Sequence, residues 1–278
     1  MTGPPVDPRV RQYDGWVIRE QGPRDATHSV LLLPGALCSS VFYDDLLSEP
    51  ALAGASLRFV ATTLPGFGGT TPPTDVSIEN YARLAGRLAA DAGCDVVVGH
   101  SLGANVALEM VAAGGFRGPV VLISPSFSRE DESRFPRALD RLAVVFGHLP
   151  YALMMKLVGP AMKSSLPPSR QDVLIADLKN NDPRFLRRQT RAYLEYLDRH
   201  GSLAERLCDA GTPAWVSFGS DGDVGLTEDE RQVLEACQHV TLTTIADTGH
   251  FALNDKPERI AELVLAAASS SLKSRATA

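Results

Sequence analysis

Three valines, Val96 to Val98, run straight into Gly99-His100-Ser101-Leu102-Gly103, and small residues continue to Leu108. Asp95 to Val98 reads as a strand, apolar after its first residue, as a central parallel strand should be. The residues from Val106 onward read as a helix. A chain that reverses from strand to helix within a few residues strains its backbone at the middle position. Side chains on either side would clash, and glycines remove those Cβ atoms. The serine oxygen then projects from the carboxyl edge of a sheet, where ligands bind in open α/β folds. The next helix turns its positive end toward the same point.

The rest of the chain alternates in the same way. Trp16 to Gly22, Ser29 to Leu33, Phe59 to Thr63 and Val120 to Ser124 read as strands. Ser77 to Asp91 reads as a helix with Ser77 as N-cap. Strand signal returns at Pro213 to Phe218 and Val240 to Ile245, each followed by a helix, Thr227 to Ala236 and Pro257 to Ala268. This series predicts a mainly parallel sheet covered on both faces. Between about Glu130 and Gly201 no strand is expected. Helical runs occupy Arg137 to Phe146, Tyr151 to Met162, Arg170 to Leu178 and Phe185 to Asp198. We therefore expect an α/β core from residues 1–127 and 204–278, with an inserted helical cap at 128–203.

A chain of 278 residues with 44% apolar side chains can bury an ample core. Its net charge of −6 argues against a nucleic-acid partner. No apolar run reaches the roughly 18 residues of a membrane span, so no membrane partner is expected. The opening MTGPPVDPRVRQYDG holds no apolar core of a signal peptide, which predicts a cytoplasmic protein. Cys38, Cys94, Cys208 and Cys237 are scattered and read as reduced thiols. No ligand cluster with metal spacing is present, so no metal or other cofactor is expected.

Gly99-x-Ser101-x-Gly103 between strand and helix is the pattern of a nucleophilic serine, and such a serine needs a base. Of six histidines, His250 stands in Asp247-Thr248-Gly249-His250-Phe251, just after the last strand. A loop at that sheet edge can reach Ser101. His100 should point away and serve packing; His28, His148, His200 and His239 read as surface or cap residues. The base needs a carboxylate, and candidates follow the strand ending at Phe218, in Gly219-Ser220-Asp221-Gly222-Asp223-Val224.

Together these features resemble the α/β-hydrolase superfamily, in its cap-bearing, esterase-like form. The resemblance covers Trp16 to Ala268. It rests on Pro34-Gly35-Ala36, Pro65-Gly66-Phe67-Gly68, the Ser101 turn, the acid loop and Thr248-Gly249-His250-Phe251. It implies a Ser101-His250-acid triad and an oxyanion hole from the backbone N–H groups of Ala36 and Leu102, with Leu37 as a substitute for Ala36. Relatives place the acid about four residues before the next helix cap. Thr227 is a good cap, which favours Asp223 and leaves Asp221 as the alternative; failing both, Asp131 is the nearest aspartate after Ser124. The cap carries Phe135, Leu139, Leu142, Val145, Phe146, Leu149, Tyr151, Leu153, Leu157, Val158 and Met162. Most are expected to pack it onto the core. Met154 and Met155, with Leu37 and Phe251, are expected to face an apolar, medium-sized substrate.

The implied reaction is hydrolysis of a small-molecule carboxylic ester. Thioester or carbon–carbon hydrolysis, or acyl transfer, would use the same residues. Relatives that open epoxides or dehalogenate carry Asp where this chain has Ser101. A non-catalytic binding homologue is the remaining class.

Overall fold

The computed structural model describes residues 9–132, 134–163 and 166–276. Residues 1–8 of the opening stretch, read above for targeting, lie outside the described residues. Strands β1 (Arg9–Tyr13), β2 (Trp16–Gln21), β3 (His28–Leu33), β4 (Leu57–Thr63), β5 (Val96–His100), β6 (Val120–Ile123), β7 (Ala214–Gly219) and β8 (Val240–Ile245) form one sheet. Their order is β1-β2-β4-β3-β5-β6-β7-β8. β1, β2 and β4 pair antiparallel, and every pair from β4 to β8 is parallel.

The central strands are apolar on both sides because helices cover both faces. β3, β5 and β6 are buried at every position. Val30 lies opposite Val96, and Val97 opposite Val120. The edge strand β1, Arg-Val-Arg-Gln-Tyr, has no apolar face and was not expected from the sequence. Its sign is the next dipeptide. Asp14 and Gly15 both have positive φ (42° and 84°), which makes a two-residue hairpin turn whose twist matches the strands.

Helices α1 (Asp44–Leu47), α2 (Pro50–Ala53), α3 (Ile78–Asp91) and α4 (Leu102–Ala112) precede β6. Helices α9 (Leu203–Asp209), α10 (Glu228–Ala236), α11 (Ala252–Asp255) and α12 (Pro257–Ala276) follow the insertion. Ser77 caps α3 by accepting from the Asn80 N–H. Thr227 and Glu230 cap α10 reciprocally. A side-chain cap of this kind contributes about 1 kcal/mol.

Between β6 and α9 lie α5 (Arg134–Phe146), α6 (Leu149–Met162), α7 (Gln171–Lys179) and α8 (Pro183–Arg199). No strand interrupts them among the described residues. Polar contacts fasten this insertion to the core. Arg170 Nη2 lies 2.9 Å from Asp44 Oδ2, and Asp177 Oδ2 accepts from the Ser39 N–H at 2.7 Å. Many of its apolar side chains do not pack inward, contrary to expectation: Phe135, Leu142, Val145, Phe146, Leu149, Leu153 and Leu157 are exposed. Tyr151, Met155 and Val158 are buried.

The sheet order reverses at its centre. β4 lies on one side of β3 and β5 on the other. A crevice opens at such a switch, beyond the carboxyl ends of the strands. The loops after β3 and β5 meet there, bringing Ala36 and Ser101 to one edge. The loops after β6, β7 and β8 carry Ser124, Asp223 and His250 to that same edge.

Candidate active site

Ser101 stands between β5 and α4 with φ 52° and ψ −119°. A non-glycine residue there costs on the order of 1–3 kcal/mol, and the surroundings must hold it. They do so tightly. The Ser101 N–H donates to the Ile123 carbonyl at 2.8 Å, and its carbonyl accepts from Ala104 at 2.8 Å. A Cβ on Gly103 would sit 2.1 Å from the Leu33 carbonyl, and one on Gly99 would sit 2.3 Å from the Gly103 carbonyl. Both glycines are therefore required by close backbone approach. Leu102 opens α4, so its N–H has no acceptor within the helix.

His250 Nδ1 lies 2.8 Å from Asp223 Oδ1. A carboxylate only accepts, so Nδ1 carries a proton, and in the neutral ring Nε2 keeps its lone pair. Asp223 is held from several sides. Its Oδ2 accepts from Ser124 Oγ at 2.6 Å and from the Gly219 N–H at 2.7 Å. Its Oδ1 also accepts from the Val224 N–H at 2.7 Å. The Asp223 side chain is 1% exposed and that of His250 29%. Burial alone would raise the Asp223 carboxyl, but the hydrogen bond and charge of His250, with Ser124 and Gly219, hold it below its ordinary value.

The two candidate acids thus separate. Asp221 is exposed, and its Oδ1 accepts from Ser220 Oγ at 2.8 Å. Its backbone N–H donates to the Thr248 carbonyl at 2.8 Å, joining the acid loop to the His250 loop. Asp131 is committed elsewhere. Its Oδ2 accepts from the N–H groups of Phe127 and Ser128 at 2.7 and 2.9 Å. Burial, helped by the nearby Glu230 carboxylate, pushes Asp131 up to about 7 against those two donors.

His100 packs rather than facing Ser101's pocket, and it does more than fill space. It is 1% exposed, and its Nε2 lies 2.8 Å from the His250 carbonyl. Its ring stacks on Phe42, with centroids 6.2 Å apart and planes at 12°. Burial, then the neighbouring His250, lowers its pKa from 6.5 to about 3, so the ring is neutral and Nε2–H donates. His100 therefore fixes the backbone of the candidate base. The sign of the pH effect follows. A base with a depressed folded pKa stabilises fully above 6.5 and loses that contribution as pH falls toward about 3. We expect the thermal midpoint to fall as pH drops from 6.5 and the fall to be shallower in His100→Gln. Parallel melting curves for the two proteins would contradict this.

His28 is also not the surface residue expected. It is 4% exposed within β3, and its Nδ1 lies 3.2 Å from Asp95 Oδ2. Two further residues escaped the sequence reading. Ser124, with φ 52°, donates to Asp223. Asn181 is buried and donates through Nδ2 to the Leu37 carbonyl at 2.9 Å, while its Oδ1 accepts from the Gly68 N–H at 3.0 Å. It ties the Ala36-Leu37 loop and the Gly68 turn to the insertion. Leu37 holds φ 69°, so that loop is strained as well. The turn cluster Asn180-Asn181-Asp182-Pro183 was the available signal.

Two cavities adjoin at Gly222 and His250. One, of about 270 Å³, is lined by Ser101, Asp131, Glu132, Asp223 and Val224 beside those two. The other, of about 560 Å³, is lined by Met162, Leu166, Pro167, Pro168 and Phe251 together with Asp221, Asp247, Thr248 and Asp255. Of the residues expected to face substrate, Phe251 lines the larger cavity. Met155 is buried in the core, and Met154 and Leu37 pack against it. Among the described residues, no group of three metal-ligating side chains is present, and no helix is long and apolar enough to cross a membrane.

Solved structures of other proteins share this fold. Among solved structures, the chain is similar to one described for carboxylesterases of the thaumarchaeon Nitrososphaera gargenis, at 16% identity and TM-score 0.72, covering 96% of this chain and 100% of that one. It is similar to an esterase from Exiguobacterium antarcticum, at 16% identity and TM-score 0.71, covering 94% and 98%. It is equally similar to the haloalkane dehalogenase DbeA from Bradyrhizobium elkani, at 18% identity and TM-score 0.72, covering 96% and 99%. At such identities these likenesses show the fold alone. No curated protein sequence matches the chain. A model of the alpha/beta hydrolase family matches residues 30–263, from β3 into α12 and so across the whole candidate site. The chain belongs to the alpha/beta hydrolase family.

Proposed function

We propose that this protein is a serine hydrolase that cleaves carboxylic esters through a Ser101-His250-Asp223 triad. The observation that carries the reading is the 2.8 Å contact of His250 Nδ1 with buried Asp223, in the cavity that Ser101 lines. His250 Nε2 takes the Ser101 proton as Ser101 Oγ attacks the carbonyl carbon. The negative oxygen that forms is met by the N–H groups of Leu102 and Ala36. His250 then protonates the leaving alkoxide, and the alcohol departs. Water attacks the acyl-serine with His250 again as base, which releases the acid and restores Ser101. Asp223 stays ionised throughout and supports the imidazolium.

Residues 128–203 act as a cap, and the part of the larger cavity formed by Met162, Leu166 and Phe251 supports an apolar acyl or alcohol portion, while Asp221, Asp247 and Asp255 make the rest of its lining polar. The likeness to a dehalogenase does not carry its chemistry here, because the attacking position holds serine. Rapid mixing with excess p-nitrophenyl butyrate tests the reaction class. We expect a burst of about one p-nitrophenol per chain followed by slower turnover. No release from any ester between acetate and decanoate would overturn the reading.

The cavity wall makes a second expectation. Met162→Ala should change kcat/KM for long acyl esters by roughly tenfold or more, with acetate changed less than about threefold. A uniform loss across chain lengths would show that Met162 supports the fold instead.

A further inference from the structure

The large apolar side chains that remain exposed are concentrated on one part of the molecule. Among the described residues, all but Val10 lie between Phe135 and Val173. Helix α6 shows why. Its buried face carries Tyr151, Met155 and Val158, yet its opposite face carries Leu149, Leu153 and Leu157, 60%, 60% and 54% exposed. Residues at i, i+4 and i+8 make one ridge. A helix that is apolar all round belongs in an apolar surround on both sides. Leu142, Val145 and Phe146 at the end of α5 are 50%, 75% and 56% exposed beside it. Patches of this kind mark interaction surfaces.

The chemistry around the ridge selects the occupant. A cavity of about 390 Å³ is lined by His148, Arg184, Arg187, Arg188 and Arg191. The four arginines share one face of α8 at i, i+3, i+4 and i+7. His148 stands between exposed Phe146 and Leu149, so basic cavity and apolar ridge are neighbours. Arg188 donates to the Thr74 carbonyl, and Arg191 lies 3.9 Å from Asp140 and 3.8 Å from Glu195. The charge is segregated over the whole chain. Residues 128–203 carry 13 Lys and Arg against 9 Asp and Glu, and the remainder carries 14 against 24. A cationic cap therefore sits on an anionic body.

We propose that this face docks on an anionic phospholipid surface, with the α5–α6 ridge in the headgroup boundary and a lipid phosphate in the arginine cavity. Apolar side chains flanked by arginine on one helical surface are the composition of an interfacial element, which needs no membrane span. The anionic body is repelled by the same surface, which orients the cap toward it. A second copy is disfavoured, since a two-fold contact would set one cationic face against its like. Docking does not depend on the hydrolytic reading and is measured without it.

Sedimentation with phosphatidylcholine vesicles, with and without phosphatidylglycerol, tests the proposal. At low salt we expect binding at least about tenfold tighter when phosphatidylglycerol is present, weakened by high salt. The pairs Leu153→Asp with Leu157→Asp, and Arg184→Glu with Arg187→Glu, should each cut binding about tenfold. Their melting temperatures and turnover of soluble p-nitrophenyl acetate should not change. Failure to bind either vesicle, or equal binding to both, overturns the proposal. So does uptake of inorganic phosphate by a chain that ignores vesicles. Binding of polyglutamate as tight as that of anionic vesicles would point to an acidic polypeptide instead. A dimer that the leucine variants dissociate, with no vesicle binding, would assign the ridge to a second copy.

Discussion

Replacing Ser101 by alanine is expected to abolish ester turnover, by on the order of a million-fold in kcat, with the thermal midpoint nearly unchanged. The reason lies in how the turn is held. The backbone strain at φ 52° is held by the Ile123 and Ala104 hydrogen bonds and by the tight fit of Gly99 and Gly103. None of these involves the serine oxygen. Alanine inherits the same backbone and loses the one atom that can form an acyl bond. Turnover within tenfold of wild type would remove Ser101 from the reaction.

The second large effect separates the two aspartates of the acid loop. Asp223→Asn should lower kcat by roughly a thousandfold or more, with KM changed little. An amide at this position can present its NH₂ to His250 and so favour the wrong tautomer. It would also set an N–H against Ser124, Gly219 or Val224, which all donate to Asp223 now. Some loss of stability should therefore accompany the loss of rate. Asp221→Asn should cost less than about tenfold, because Asp221 is exposed and its carboxylate accepts from Ser220 Oγ rather than from His250. The reverse order in kcat would make Asp221 the acid.

Much of this architecture could be read from residues whose meaning is local. The valines of β5, the paired glycines around Ser101 and the capping residues Ser77 and Thr227 each act on their own neighbours, so a linear reading finds them. The mainly parallel character of the sheet follows from the alternation of strands with helices. The spacing from Thr227 pointed to Asp223, and the geometry places Asp223, not Asp221, against His250. What could not be read depends on distant contacts. Nothing near His100 in the chain says that it holds the His250 carbonyl, 150 residues away. Asn181 reaches the Leu37 carbonyl across 144 residues. The cap residues misled for a related reason. Apolar composition without a face to pack against is indistinguishable in sequence from core, so Leu149, Leu153 and Leu157 read as packing residues although they face outward.

The most direct test of the catalytic account is covalent labelling with a fluorophosphonate, followed by intact mass and peptide mapping. An activated serine attacks the phosphorus, and fluoride leaves. The account predicts a single adduct on the peptide carrying Ser101, absent in Ser101→Ala and slowed at least about a thousandfold in His250→Ala. A chain that takes up no label, or carries it on another residue, would contradict it.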